Sequence, residues 1–158
     1  MVYWFFGFPG IGKDYCAKKF SELTGSSYVS ADSFLTAQEK EKLMNGTFTK
    51  IDRLIKLERI CAALMHMGAN IAIADSLPDA ASRDYVHTYF NNNVRFLLVT
   101  ASPEIHRQRI ARRTDHFFTA DILDRWIAQH WNGNITIPYT VIKNSSQDIE
   151  EQLRRIMS

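Results

Sequence analysis

The chain has 158 residues, 46% of them hydrophobic, enough for one packed core and too few for two ordinary domains, so residues 1–158 are expected to form a single domain. Its net charge is only +2, with 19 basic residues spread along the chain, which argues against a broad nucleic-acid or membrane footprint without excluding a nucleic-acid partner. The two cysteines, Cys16 and Cys61, lie in helical patterns with no metal-ligand spacing, and read as packed, reduced thiols.

The opening apolar run, Val2 to Phe6, reads as a strand. It is too short for a signal peptide or a membrane span and has no basic segment before it, so a soluble cytoplasmic protein is expected. The glycine loop GFPGIGK follows, and Lys13 to Leu23 reads as a helix closed by Gly25. A short strand is expected at Ser27 to Ser30, then a charged helix from Ala37 to Met44 that Asn45-Gly46 interrupts. From Ile51 to Met67 the pattern is amphipathic, with Ile51, Leu54, Ile55, Ile60, Cys61 and Leu64 as the apolar stripe and Gly68 as the stop. NIAIAD (70–75) and VRFLLVTAS (94–102) read as strands buried on both faces, because they barely alternate. Ser102-Pro103 opens a helix to about Arg113; a further helix is expected at 119–129, a fifth strand in TIPYTVI (136–142), and a closing helix at 147–157. Strands alternating with helices predict an α/β fold: three layers, with a five-stranded parallel sheet between helices and ligands at the carboxyl ends of the strands.

Residues 7 to 14, GFPGIGKD, fit the phosphate-binding pattern G-x-x-x-x-G-K-[ST] in all but the last position, where Asp14 replaces the hydroxyl. Between a strand and a helix, such a loop turns backbone N–H groups and the helix N-terminus toward phosphate oxygens, and Lys13 can reach the outer phosphates. Gly7, Pro9, Gly10, Ile11, Gly12, Lys13, Asp14 and Tyr15 are therefore candidate nucleotide-binding residues. Asp32 and Asp75 follow the second and third strands and should point into the same crevice. Asp75 has the setting of a magnesium-holding Walker B acid, and Asp32 that of a residue acting on an acceptor hydroxyl. The alternative for Asp32 is a helix cap before FLTAQEK, and for Asp75 a strand-end turn with Ser76. Arg109, Arg112 and Arg113 form one basic helical face that either closes over a triphosphate or is simply solvated. Arg53 and Arg83 should border the crevice and could bind an anionic substrate, or could make surface ion pairs. His116 alone is weak evidence for chemistry.

The order of these features resembles the small P-loop kinases, in particular the gluconate kinase and adenylylsulfate kinase branch, with a more distant likeness to polynucleotide kinases. GFPGIGKD is similar to their phosphate loop, KLMNGTFTKIDR (42–53) to a gluconate kinase substrate segment, ARRTDHFFTADIL (111–123) to that family's lid, and SRDY (82–85) to an arginine-containing substrate segment. The resemblance implies ATP and magnesium as cofactors, with transfer of the terminal phosphoryl group to a small-molecule hydroxyl. A substrate-binding region near 33–68, a helical lid near 109–122 and an adenine pocket at Lys143-Asn144-Ser145 are implied with it. Residue by residue, Arg109 and Asn144 fall to the nucleotide, Arg53, Arg83, Arg112 and His116 to the substrate, Lys13, Asp32, Arg109 and Arg113 to catalysis, and Asp14 and Asp75 to the metal. A gluconate-like sugar acid is the favoured acceptor; a nucleoside, nucleotide or polynucleotide 5′ end is the alternative. Where gluconate kinases commonly carry paired acids after the second strand, this chain has Asp32-Ser33. Some P-loop kinases, such as phosphomevalonate kinase, are similar in carrying Gly-Lys-Asp, and a carboxylate is a suitable hard ligand for magnesium. A weakly active nucleotide-binding regulator is the remaining alternative, because Asp14 repels phosphates unless a cation intervenes.

Overall fold

A computed structural model describes residues 1–113, 119–145 and 147–157. Five parallel strands form one sheet in the order β2-β3-β1-β4-β5, with β1 Val2–Phe6, β2 Ser27–Ser30, β3 Ile71–Ala74, β4 Val94–Thr100 and β5 Tyr139–Lys143. The helices are α1 Lys13–Thr24, α2 Ala37–Asn45, α3 Lys50–Met65, α4 Ala80–Phe90, α5 Pro103–Ala111, α6 Ala120–His130 and α7 Ile149–Arg155. None of the helices among the described residues is long and apolar enough to cross a membrane.

The side-chain alternation of a strand distributes β1 between two cores. Tyr3 and Phe5 pack with Phe20 of α1 and Leu153 of α7 on one face. Val2, Trp4 and Phe6 pack on the other with Leu57, Ile60 and Leu64 of α3 and Val86 and Phe90 of α4. Every residue of β1 and β3 is buried, which explains why their sequences run apolar without a break. Cys16 and Cys61 lie one in each core as free thiols, and burial pushes both pKa values up to about 12.

Local chemistry sets the element ends. Thr36 and Thr49 make capping boxes with Glu39 and Asp52, and Gly46 closes α2 in the left-handed conformation. β5 starts three residues later than expected, because Pro138 cannot donate to the ladder; Ile137 joins the core instead. The largest departure concerns α3. Ile51 and Ile55 are 70% and 50% exposed, and the buried face runs Arg53, Lys56, Leu57, Ile60, Cys61, Leu64. The inward stripe thus begins with two cations, which a search for apolar periodicity rejects, and they point toward the carboxyl end of the sheet.

That end carries the loop after β1, the turn after β2 and Asp75 after β3. The chain leaves β1 toward β2 on one side of the sheet, while β4 lies on the other. The crevice therefore opens where the strand order reverses.

Candidate active site

The loop between β1 and α1 is held open by its glycines. Gly7, Gly10 and Gly12 have φ of 143°, 75° and 100°. At Gly12 the need for glycine is also steric, since a Cβ would stand 2.0 Å from Asn144 Nδ2 and 3.3 Å from an Arg109 guanidinium nitrogen. Those two side chains converge on one acceptor: Arg109 and Asn144 donate to the Ile11 carbonyl at 2.9 and 3.0 Å, and Arg109 also donates to the Asn144 carbonyl at 2.7 Å. The end of β5 and helix α5 are thereby tied to the glycine loop. Tyr15, Arg109, Arg113 and Asn144 line a cavity on this side.

Lys13 begins α1, is buried, and donates from Nζ to the Phe8 carbonyl at 2.8 Å, so its ammonium lies back over the loop. Burial holds its pKa below the ordinary value, Asp14, Asp32 and Asp75 work against that depression, and Arg113 adds to it. Pro9, Lys13, Asp14, Asp32, Asp75 and Arg113 border one cavity. The Tyr28 hydroxyl, from β2, donates to Asp14 Oδ1 at 2.5 Å. Burial and then this bond raise the Tyr28 pKa, so the phenol keeps its proton and holds the carboxylate in place. Asp32 sits in the 3-10 turn Ala31–Phe34; α2 is capped by Thr36, so Asp32 is not that helix's cap.

A second cavity adjoins the first and shares Asp32, Asp75 and Ser76 with it. Its walls include Leu43, Phe48 and Trp126, and α3 contributes Arg53 and Lys56. Lys56 Nζ lies 2.9 Å from Asp75 Oδ1, both groups being buried. Arg53 donates to Asp79 at 2.5 Å and to His130 Nδ1 at 2.8 Å. Since a guanidinium can only donate, His130 accepts at Nδ1 in its neutral form. Burial first and then the Arg53 charge lower the His130 pKa to about 4. Burial raises the pKa of Asp79, but two hydrogen bonds from Ser82 and the charge on Arg53 outweigh it and leave the group below the ordinary carboxylate range.

The geometry therefore brings together Lys13, Asp14, Asp32, Asp75 and Arg113, with Arg109 and Asn144 across Gly12 and Arg53 in the adjoining cavity. Arg83 departs from its expected place among the substrate ligands. It is 1% exposed and donates to the carbonyls of Leu77, Pro78, Asn132 and Asn134. Its guanidinium also stacks over Trp131 at 5.1 Å. It clamps the turn after Asp75, where Leu77 is buried at a φ of +40°, and spends four of its five N–H donors on backbone carbonyls. Arg112 is exposed at the end of α5 and lines none of these three cavities. Only the two ends of the expected lid are described, and His116 lies outside the described residues. Sequence reading missed Tyr28, Lys56, Asp79 and His130. For Lys56 a signal existed: it lies three positions after Arg53 and one before Leu57, in phase with the buried face.

Over residues 2–130 the sequence matches the AAA domain family. The chain belongs to this family. A "Probable gluconokinase" of Dictyostelium discoideum is 25% identical to the AAA domain chain over 162 aligned positions, covering 93% of this chain and 81% of the relative. A gluconokinase from Sinorhizobium meliloti 1021 superposes with a TM-score of 0.79 at 17% identity, over 98% of this chain and 92% of that one. A sugar kinase from Janibacter sp. HTCC2649 gives a TM-score of 0.78 at 22% identity, over 99% and 91% of the two chains. The architecture of this AAA domain is that of the P-loop kinases, a three-layer α/β fold with a five-stranded parallel sheet.

Proposed function

We propose that the protein is an ATP-dependent phosphotransferase that moves the γ-phosphoryl group of ATP to a hydroxyl of a small anionic metabolite, a gluconate-like sugar acid in the first instance. The observation that carries this reading is the pair of adjoining cavities: one borders the glycine loop and Lys13, the other borders Arg53 and Lys56, and Asp32 and Asp75 belong to both. A donor phosphate and an acceptor hydroxyl placed in them would meet beside Asp32. The likeness to gluconokinases supports the sugar acid.

In this reading backbone N–H groups of the glycine loop, Pro9 having none, surround the phosphates, and Lys13 turns from the Phe8 carbonyl to a phosphate oxygen. The adenine lies on the Asn144 side, beside Tyr15 and Arg109. Asp32 orients the acceptor hydroxyl and accepts its proton, and Arg113, which borders both phosphate-side cavities, stabilises charge on the transferring group. The donor set suits magnesium, which takes one or two carboxylates and fills its remaining positions with phosphate oxygens and water. Asp14 and Asp75 border the phosphate cavity and would hold the metal. Bound there, the ion would neutralise charge on the β- and γ-phosphates. Arg53 and Lys56 favour an anionic acceptor, with Phe48 and Trp126 as an apolar wall.

The test is acceptor-dependent ADP formation across D-gluconate and other sugar acids, nucleosides and nucleoside monophosphates. Stimulation by a sugar acid, abolished in Lys13→Ala and reduced about a hundredfold or more in Asp32→Asn, is the expected result. If ATP binds and no acceptor stimulates turnover, the protein is a nucleotide-binding regulator instead.

A further inference from the structure

The Lys56–Asp75 pair has no packing rationale. Burying two charges costs several kcal/mol per ion before their attraction is counted, and an apolar pair of similar volume is often as stable or more so. Position 56 continues the face Leu57, Ile60, Cys61, Leu64, so leucine or methionine there would extend the core. The chain instead carries an ammonium whose side chain is 9% exposed, against a carboxylate that is 6% exposed, at 2.9 Å. Asp75 Oδ1 is the hydrogen-bond partner of Lys56 Nζ among the described residues. Lys56 borders the acceptor-side cavity, and Asp75 borders both that cavity and the one lined by Lys13 and Asp14.

The geometry points to Lys56 as a positioning residue that holds the charge of Asp75 until a divalent cation arrives, and so sets how much magnesium the site needs. This inference rests on the assignment of Asp75 to the metal side of the phosphotransfer site. Two cations then share one carboxylate. The ammonium pairs with Asp75, and a divalent ion held by the same carboxylate would weaken that pairing and meet the repulsion of the ammonium. When the ion is bound, Lys56 Nζ still borders the acceptor cavity, where it can donate to an anionic acceptor.

The test needs no acceptor. Wild type, Lys56→Met and Lys56→Gln are titrated with Mg²⁺ at a fixed concentration of a fluorescent ATP analogue, and each is melted with Mg²⁺ alone. The expected result is a magnesium midpoint lower by about tenfold in both neutral variants, from removal of one nearby charge. Mg²⁺ alone should raise their melting temperature and leave that of wild type nearly unchanged. Lys56→Gln keeps a hydrogen-bond donor for Asp75, and so gives a folded reading if Lys56→Met is too unstable. A midpoint that stays the same or rises in the neutral variants overturns the role of Lys56 alone. Nucleotide binding by wild type that is indifferent to magnesium removes Asp75 from the metal side and overturns both readings.

Discussion

Asp14, the one departure from the phosphate-loop pattern, is built into its surroundings. Tyr28 Oη reaches Asp14 Oδ1 at 2.5 Å from a neighbouring strand, and a serine at position 14 would be too short to take that bond. Asp14→Ser is therefore expected to lose magnesium-dependent nucleotide binding rather than gain activity. Tyr28→Phe should weaken that binding severalfold with the metal ligand still present. Equilibrium titration with and without Mg²⁺ reads both variants, and a gain of activity in Asp14→Ser would mark the aspartate as an impairment. Arg83 makes the opposite point: an arginine in a promising segment of sequence that gives four of its five N–H donors to backbone carbonyls. Arg83→Ala leaves several of those carbonyls buried without partners, at about 1–3 kcal/mol for each one left unsatisfied, so a loss of at least about 3 kcal/mol is expected in urea denaturation. Had Arg83 bound substrate, the variant would raise the acceptor KM at unchanged stability.

At the scale of elements, the strand-loop-helix unit was legible because each of its signals is local: an apolar run, glycines at the turn, a lysine at the helix start. The alternation of strands and helices was legible for the same reason, and it led directly to the parallel sheet. The inward face of α3 was not legible, because burial there follows position and not polarity. Arg53 and Lys56 are buried against Asp79 and Asp75, acids that lie remote in sequence and meet them only through the fold. Tyr28 escaped for a similar reason, since nothing near it in sequence announces a partner 14 residues away on α1. The glycine loop provides the prediction for this scale. Gly12→Ala adds a Cβ at a φ of 100° and drives it into Asn144, so α5 and the β5 end must shift from the Ile11 carbonyl. Nucleotide affinity should fall at least about tenfold while the core stays intact, because the strain falls on the loop. Affinity equal to wild type would show that the contacts of Arg109 and Asn144 with the loop are dispensable.

Across the molecule, Arg53 joins three helices: it lies on α3, binds Asp79 at the start of α4, and binds His130 at the end of α6. Helix α6 packs through Leu123 and Trp126 against Leu35, Leu43 and Phe48, so this polar knot also anchors the wall of the acceptor cavity. Its charge balance makes stability depend on pH. The His130 pKa falls from 6.5 to about 4 on folding, so between those values the unfolded chain binds more protons than the folded one. The stability contributed by neutral His130 is present above pH 6.5 and is lost as pH falls toward 4. The depressed Asp79 acts in the same direction at lower pH, where its contribution is lost as the carboxyl protonates. Protonated His130 would also face Arg53 as a like charge and give up the Nδ1 lone pair that accepts its hydrogen bond, so the acid-side loss should begin where α6 meets α3. Urea denaturation of wild type and His130→Asn from pH 7.5 to 4 tests this, because asparagine can accept from Arg53 but does not titrate. The wild-type curve should fall more steeply than the variant's between pH 6.5 and 4, and parallel curves would assign the acid sensitivity to other groups.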